Sequence, residues 1–173
     1  LAQLRADARR ARPPEETGAF RAADLVEPAR LDPGLKLDVR YAGSDNFLRA
    51  PIYPEARVFL QRPAAEAVAR VTRALRAHGY GLLLFDGYRP WYVTKVFWDA
   101  TLSEQRNFVA DPATGSRHNR GCAIDLSLFD LKTGLEVSMP SGYDEFSERA
   151  HPDYAGGTSE QRAARDLLRT AME

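Results

Sequence analysis

GSRHNRGCAIDLSLFD, residues 115–130, sets one histidine and one aspartate seven positions apart across a glycine turn. His118 lies in a polar loop, Gly121 permits a sharp reversal, and the run from Ile124 to Asp130 reads as a strand. Strand alternation puts Ala123, Asp125 and Ser127 on one face and Cys122, Ile124, Leu126 and Leu128 on the other. The second set is apolar and belongs to the core, and Cys122 is expected there with it. Asp125 then projects toward the side where a cleft can lie, and small Ala123 leaves room for His118 to fold back over that face. Imidazole nitrogen and carboxylate oxygen both bind zinc, but a catalytic zinc needs three protein ligands plus water. An ordinary hydrogen bond between a loop histidine and an aspartate fits the same spacing.

Working outward, YGLLLFDGYRP (residues 80–90) is a buried strand that ends in a turn, with Pro90 placed to open a helix carrying Trp91, Val93, Val96, Phe97 and Leu102. Upstream, Ala64, Val68, Val71 and Leu75 recur at helical spacing between Pro63 and a stop at Gly79. Leu35, Leu37 and Val39 alternate with polar residues as a strand, followed by a Gly43–Asn46 loop. Residues 1–18 read as a peripheral segment. Ser138–Gly157 has no clear period, and Thr158 or Ser159 caps a last helix with Ala163, Leu167, Leu168 and Ala171 as its apolar stripe. Helices mixed with irregularly spaced strands predict an α+β fold.

The chain of 173 residues suits one domain with a hydrophobic core. Lys plus Arg and Asp plus Glu are 24 each, a balance that argues against nucleic acid as a partner. No apolar run approaches the roughly 20 residues of a membrane span. One cysteine excludes an internal disulfide and a Cys-rich zinc site. The start at Leu1 is read as a cleaved export signal or a trimmed terminus, with a lean to export over a cytoplasmic setting. The oligomeric state is not encoded in any pattern here.

Ser116-x-His118-x-x-Gly121-x-Ala123-x-Asp125 resembles the zinc signature of the D-alanyl-D-alanine dipeptidases, within the zinc D,D-peptidase and Hedgehog-like clan. RYAGSDNF, DGYRP, FVADPATGSRHNRG and GYDEFSERAHPDY also resemble family segments in the expected order, so the likeness spans roughly residues 35–173. It implies one domain over residues 19–173, with a central antiparallel sheet flanked by helices. It further implies one Zn²⁺ per chain, held by His118 and Asp125, and a D-Ala-D-Ala dipeptide as substrate. Arg89 corresponds to the arginine that stabilises the oxyanion, a task suited to a permanent charge, with Asp86 or Tyr88 to orient it. Ser116 is expected to donate a hydrogen bond to substrate, Asp144 to grip its ammonium group and Tyr41 to line the pocket. His78 and His151 fall outside the ligand set.

The family's third ligand and general base come from a Glu-x-x-His segment that residues 1–173 do not contain. The final helix is still running at Glu173, so the native product is expected to continue for roughly 20 residues and to supply that segment. Two alternatives stand beside the dipeptidase. One is a D,D-carboxypeptidase acting on longer wall peptides. The other is a non-catalytic module that binds D-amino-acid peptides.

Overall fold

Tyr80–Asp86 is the axis of the domain, because its residues from Gly81 to Asp86 are buried on both faces. The structure is a computed structural model that describes residues 1–173. In chain order it begins with helix α1 (Ala2–Arg10), strand β1 (Leu25–Val26), the short helix α2 (Pro28–Leu31) and strand β2 (Lys36–Leu37). Strand β3 (Leu60–Gln61) leads directly into helix α3 (Arg62–Arg76), then strand β4 (Tyr80–Asp86) and helix α4 (Trp91–Ala100). Strand β5 (Asp125–Asp130) and helix α5 (Ser159–Met172) complete the set, with 3-10 turns between them.

Apolar residues at Leu82 through Phe85 make β4 the middle strand of a sheet ordered β2-β4-β5. Its long pairing with β5 is antiparallel, as the fold class implies, and the two-residue β2 adds in parallel on the other edge. A second, two-stranded antiparallel sheet joins β1 to β3. One sheet face presents Leu82, Leu84 and Leu128 to Val68 and Leu75 of α3 and to Ala164 of α5. The other face carries Leu83, Phe85 and Phe129. Beside it, a second cluster joins Ala8 of α1 to Val93, Val96 and Phe97 of α4 and to Tyr41 and Ile52. The architecture is thus a single α+β domain, and no helix is long and apolar enough to cross a membrane.

Local departures from the sequence reading have local causes. Leu35 and Val39 are buried, but Leu37 is 40% exposed, because β2 is a two-residue edge strand and gives way to a 3-10 turn at Arg40. In α3, Ala64 packs on the core while Ala65 is the fully buried alanine, and the α5 stripe is led by Ala164 and not Ala163. Thr158 caps α5 through a reciprocal box with Gln161. Leu102 lies beyond α4 and is exposed. Cys122 is exposed as well, a correction to its expected place in the core. Pairing on β5 begins only at Asp125, so strand parity does not extend back to Cys122, whose Sγ turns to the Arg120 carbonyl.

Gly121 closes the turn that delivers the chain from His118 into β5. Its φ of 67° and ψ of 27° lie in the left-handed region. A Cβ there would stand 2.6 Å from Leu25 Cδ2 and 3.2 Å from the Gln61 amide nitrogen. Gly121→Ala should therefore destabilise the protein by about 1–3 kcal/mol, combining backbone strain with a clash against β1. A urea-unfolding midpoint equal to that of the wild type would contradict this reading of the turn.

Candidate active site

The register of β4 and β5 runs Leu82↔Leu128 and Leu84↔Leu126, then slips so that Asp86 faces Asp125. This bulge puts Phe85 in β4 as an extra residue and re-aims the side chains beyond it. Two carboxylates now oppose each other at the end of the sheet, a pairing that repulsion disfavours unless a cation stands between them. Arg89 is that cation. Its Nη2 lies 2.8 Å from Asp86 Oδ2 and 3.3 Å from Asp125 Oδ2, and its Nε also donates to Asp86 Oδ2 at 2.8 Å. The guanidinium is buried against the rings of Phe97 and Tyr41. Burial acts to lower its pKa, but Asp86, Tyr41 and Asp125 outweigh that and keep the charge permanent.

The DGYRP turn fixes more than this arginine. Asp86, 1% exposed, also accepts from the Tyr53 hydroxyl through Oδ1 at 2.9 Å. Burial lifts its pKa, and the Arg89 charge opposes the rise. The Gly87 carbonyl lies 2.9 Å from His118 Nδ1. A carbonyl can only accept, so Nδ1 carries the proton and Nε2 presents its lone pair. That lone pair faces Asp125 Oδ1 at 3.4 Å. Burial pushes the Asp125 carboxyl up, yet the adjacent His118 and the charge of Arg89 hold it below the usual carboxylate range.

These atoms fit a metal ion. Two ligands about 2.1 Å from one tetrahedral ion stand about 3.4 Å apart, which is the separation of His118 Nε2 and Asp125 Oδ1. The Gly87 carbonyl supplies the outer hydrogen bond that orients a ligating imidazole. Asp86 lies in the same cluster, within 4.8 Å. Its two oxygens are already taken by Tyr53 and Arg89, whereas His118 Nε2 and Asp125 Oδ1 face each other without such partners.

The other expected residues arrive in the same place. Tyr41, Arg89, Ser116, His118, Asp125 and Asp144 all line one cleft of about 920 Å³. Ser116 caps the 3-10 turn Arg117–Arg120, its Oγ accepting from the His118 amide at 3.2 Å, which leaves the hydroxyl proton free to donate. Tyr41 donates to Asp144 Oδ1 at 2.8 Å, and the Phe47 amide donates to Oδ2 at 3.2 Å. Asp144 takes a left-handed φ of 55°, tolerable for aspartate and held here by those two bonds. Its burial raises the pKa, against the pull of Tyr41 and Phe47.

His151 lines the outer part of the cleft, with its ring 6.1 Å from Phe108, while His78 lies exposed just past α3. Sequence reasoning missed Tyr53 and Asn119. The Asn119 side chain donates to the Arg89 carbonyl at 2.9 Å and to Thr94 Oγ1 at 2.8 Å, tying the histidine turn to α4. An Asn three positions after Ser116 is the capping-box spacing that could have flagged it.

Residues 21–173 match the Peptidase_M15 family, described as D-ala-D-ala dipeptidase. The chain is 34% identical over 149 residues to the D-alanyl-D-alanine dipeptidase of Escherichia coli strain K12, covering 86% of this chain and 76% of that protein. It is 33% identical over 158 residues to the D-alanyl-D-alanine dipeptidase of Enterococcus faecalis, covering 81% of this chain and 78% of the relative. The Enterococcus faecium protein of the same name is 32% identical, with the same coverage of 81% and 78%.

Removing one partner of a buried ion pair strands the other charge. Asp86→Ala should cost about 3–5 kcal/mol of stability in urea unfolding, far more than a surface pair would. A loss below about 1 kcal/mol would mean that Arg89 finds its counter-charge elsewhere.

Proposed function

This chain belongs to the Peptidase_M15 family of D-ala-D-ala dipeptidases and is a metallopeptidase, and from that premise we propose that it hydrolyses the D-alanyl-D-alanine dipeptide to free D-alanine with zinc as its metal. The observation that carries the reading is the 3.4 Å approach of His118 Nε2 to Asp125 Oδ1, beside a fixed guanidinium in the same cleft. When bound, zinc supplies Lewis acidity, which polarises a carbonyl and makes a water acidic enough to attack.

The side chains do the rest. His118 and Asp125 hold the ion. Arg89, locked by Asp86, presents a permanent charge where negative charge develops on the scissile carbonyl oxygen, and its rigid fork needs no reorganisation to do so. Ser116 offers its free hydroxyl proton to a substrate oxygen. Asp144, oriented by Tyr41, receives the substrate ammonium and closes that end of the cleft to N-acylated chains. Such an activity serves cell-wall precursor turnover or the depletion of a glycopeptide target.

In the holoprotein, His118→Ala or Asp125→Ala should abolish stoichiometric zinc while leaving the fold, because Leu126 and Leu128 pack on the opposite sheet face. Elemental analysis that finds full occupancy in either variant would remove them from the ligand set. Arg89→Ala should lower kcat by about 10²–10³ with a smaller effect on KM, and Arg89→Lys should stay impaired. A change confined to KM would instead make Arg89 a contact for the substrate carboxylate. D-Ala-D-Ala should be cut and an N-acylated tripeptide ending in the same pair should not. Equal turnover of both, followed by ninhydrin detection of free D-alanine, would move the activity to a D,D-carboxypeptidase.

A further inference from the structure

Behind the cleft wall, the side chain of Asn119 joins three segments of the chain. Asn119 lies in the 3-10 turn Arg117–Arg120, is half-buried, and is not among the residues that line the cleft. Its Oδ1 accepts from the Ser116 amide at 2.8 Å. Its Nδ2 donates to the Arg89 carbonyl at 2.9 Å and to Thr94 Oγ1 at 2.8 Å. The side-chain amide has one workable orientation here, because the Ser116 N–H can only donate and the Arg89 carbonyl can only accept. Thr94 belongs to α4 and is 1% exposed, so the far end of this tie is fixed in the core.

Arg89 is the segment whose placement matters most to the reaction. Its ion pair with Asp86 fixes the guanidinium relative to β4. Other bonds fix it relative to the histidine turn. The Arg89 amide donates to the His118 carbonyl at 2.9 Å, and the Arg89 carbonyl accepts from Asn119. Arg89 precedes Pro90, the N-cap of α4, so its carbonyl has no place in the helix ladder and takes the Asn119 amide instead. Both backbone polar groups of Arg89 are thus spent on residues 118 and 119.

One of those two bonds runs from backbone to backbone and survives any substitution of a side chain. The other depends on the identity of residue 119. Asp125 stands between the working groups, 3.3 Å from Arg89 Nη2 and 3.4 Å from His118 Nε2. A shift of the histidine turn against Arg89 therefore changes the spacing between the guanidinium and the His118–Asp125 pair.

Resting on the dipeptidase reading, we propose that Asn119 is a positioning residue, whose amide locks the His118 turn to the Arg89 backbone and so sets where the guanidinium stands beside the His118–Asp125 pair. Asn119 lies outside the cleft, so its loss acts through Arg89 and falls on kcat and not on KM. In the zinc-loaded protein, Asn119→Ala should lower kcat for D-Ala-D-Ala about tenfold, with KM within about threefold of wild type and zinc still stoichiometric. In an Arg89→Ala background the same substitution should lower kcat by less than about twofold, because the group it positions is gone. Asn119→Asp keeps the acceptor for the Ser116 amide but offers the Arg89 carbonyl no donor, so it should be as slow as the alanine variant. Should both Asn119 variants fail to fold, Thr94→Val decides. It replaces the anchoring hydroxyl with a methyl group and should lower kcat about threefold, and a wild-type kcat there would overturn the proposal. Equal falls in kcat with and without Arg89 would also overturn it, as would a change confined to KM, loss of zinc, or a wild-type kcat in Asn119→Asp. A wild-type protein that leaves D-Ala-D-Ala intact would overturn the dipeptidase reading, and the positioning role with it. Wild-type turnover matched by every variant would overturn the positioning role alone.

Discussion

The Asp86–Arg89 ion pair holds the working end of the molecule together. Buried pairs of this kind are roughly break-even for stability, because desolvating both charges offsets their attraction. Its value lies in position. Tyr53 and Arg89 saturate the Asp86 carboxylate, and Arg89 in turn reaches Asp125 across the bulge. The backbones are stitched over the same span: the Arg89 amide donates to the His118 carbonyl at 2.9 Å, and His118 Nδ1 donates to the Gly87 carbonyl. Asn119 then ties the Arg89 carbonyl to α4. Arginine, histidine and aspartate are thus placed by one network, and shifting one of them moves all three.

The opposite wall is held differently. The segment from Ser138 to Gly157 contains no helix or strand beyond a 3-10 turn at Glu148–Ala150, yet it carries Tyr143 and Asp144. Its anchors are arginines of α5. Arg162 donates to the Gly157 carbonyl and Arg165 to the Tyr154 carbonyl, each at 2.6 Å, and Arg169 reaches the Pro152 carbonyl. Each arginine is satisfied by backbone oxygens that a loop leaves without partners. The amphipathic pattern of α5 therefore serves two tasks: its apolar stripe packs on α3, and its basic face pins the loop that shapes the cleft.

Legibility followed the range of the interactions. Periodicity found α3, α4, α5 and the β4–β5 pair, because each buries a regular stripe. The faces of β5 were readable from parity as far back as Ile124, and not at Cys122, where pairing has not yet begun. Motif likeness placed the six expected side chains in one cleft, but it did not indicate what holds them. The bulge that sets Asp86 against Asp125 has no sequence signature, since an extra residue in a strand is visible only against its partner. Tyr53 meets Asp86 across 33 positions, and Tyr41 meets Asp144 across 103, distances that no local pattern encodes.

Charge supports the proposed reading of a cationic occupant. Asp86, Asp125 and Asp144 stand around a single guanidinium, so the balance of the site is acidic, and burial raises the pKa of Asp86 and Asp144. Glu136 and Glu145 also line the cleft, but they are paired with Arg40 and Arg149 and add little to that excess. In a partly desolvated cavity such an imbalance is costly, and the two ways to relieve it are protonation or a bound cation. His118 and Arg89 hold the Asp125 carboxyl below its usual range, so on the proposed reading the relief there is an ion between His118 and Asp125. Asp144 is pushed up by burial, and on the proposed reading the substrate ammonium restores its balance. On the proposed reading, the same electrostatic deficit serves two separate seats, one for a divalent ion and one for the charged end of a small zwitterion, with the fixed arginine beside the first.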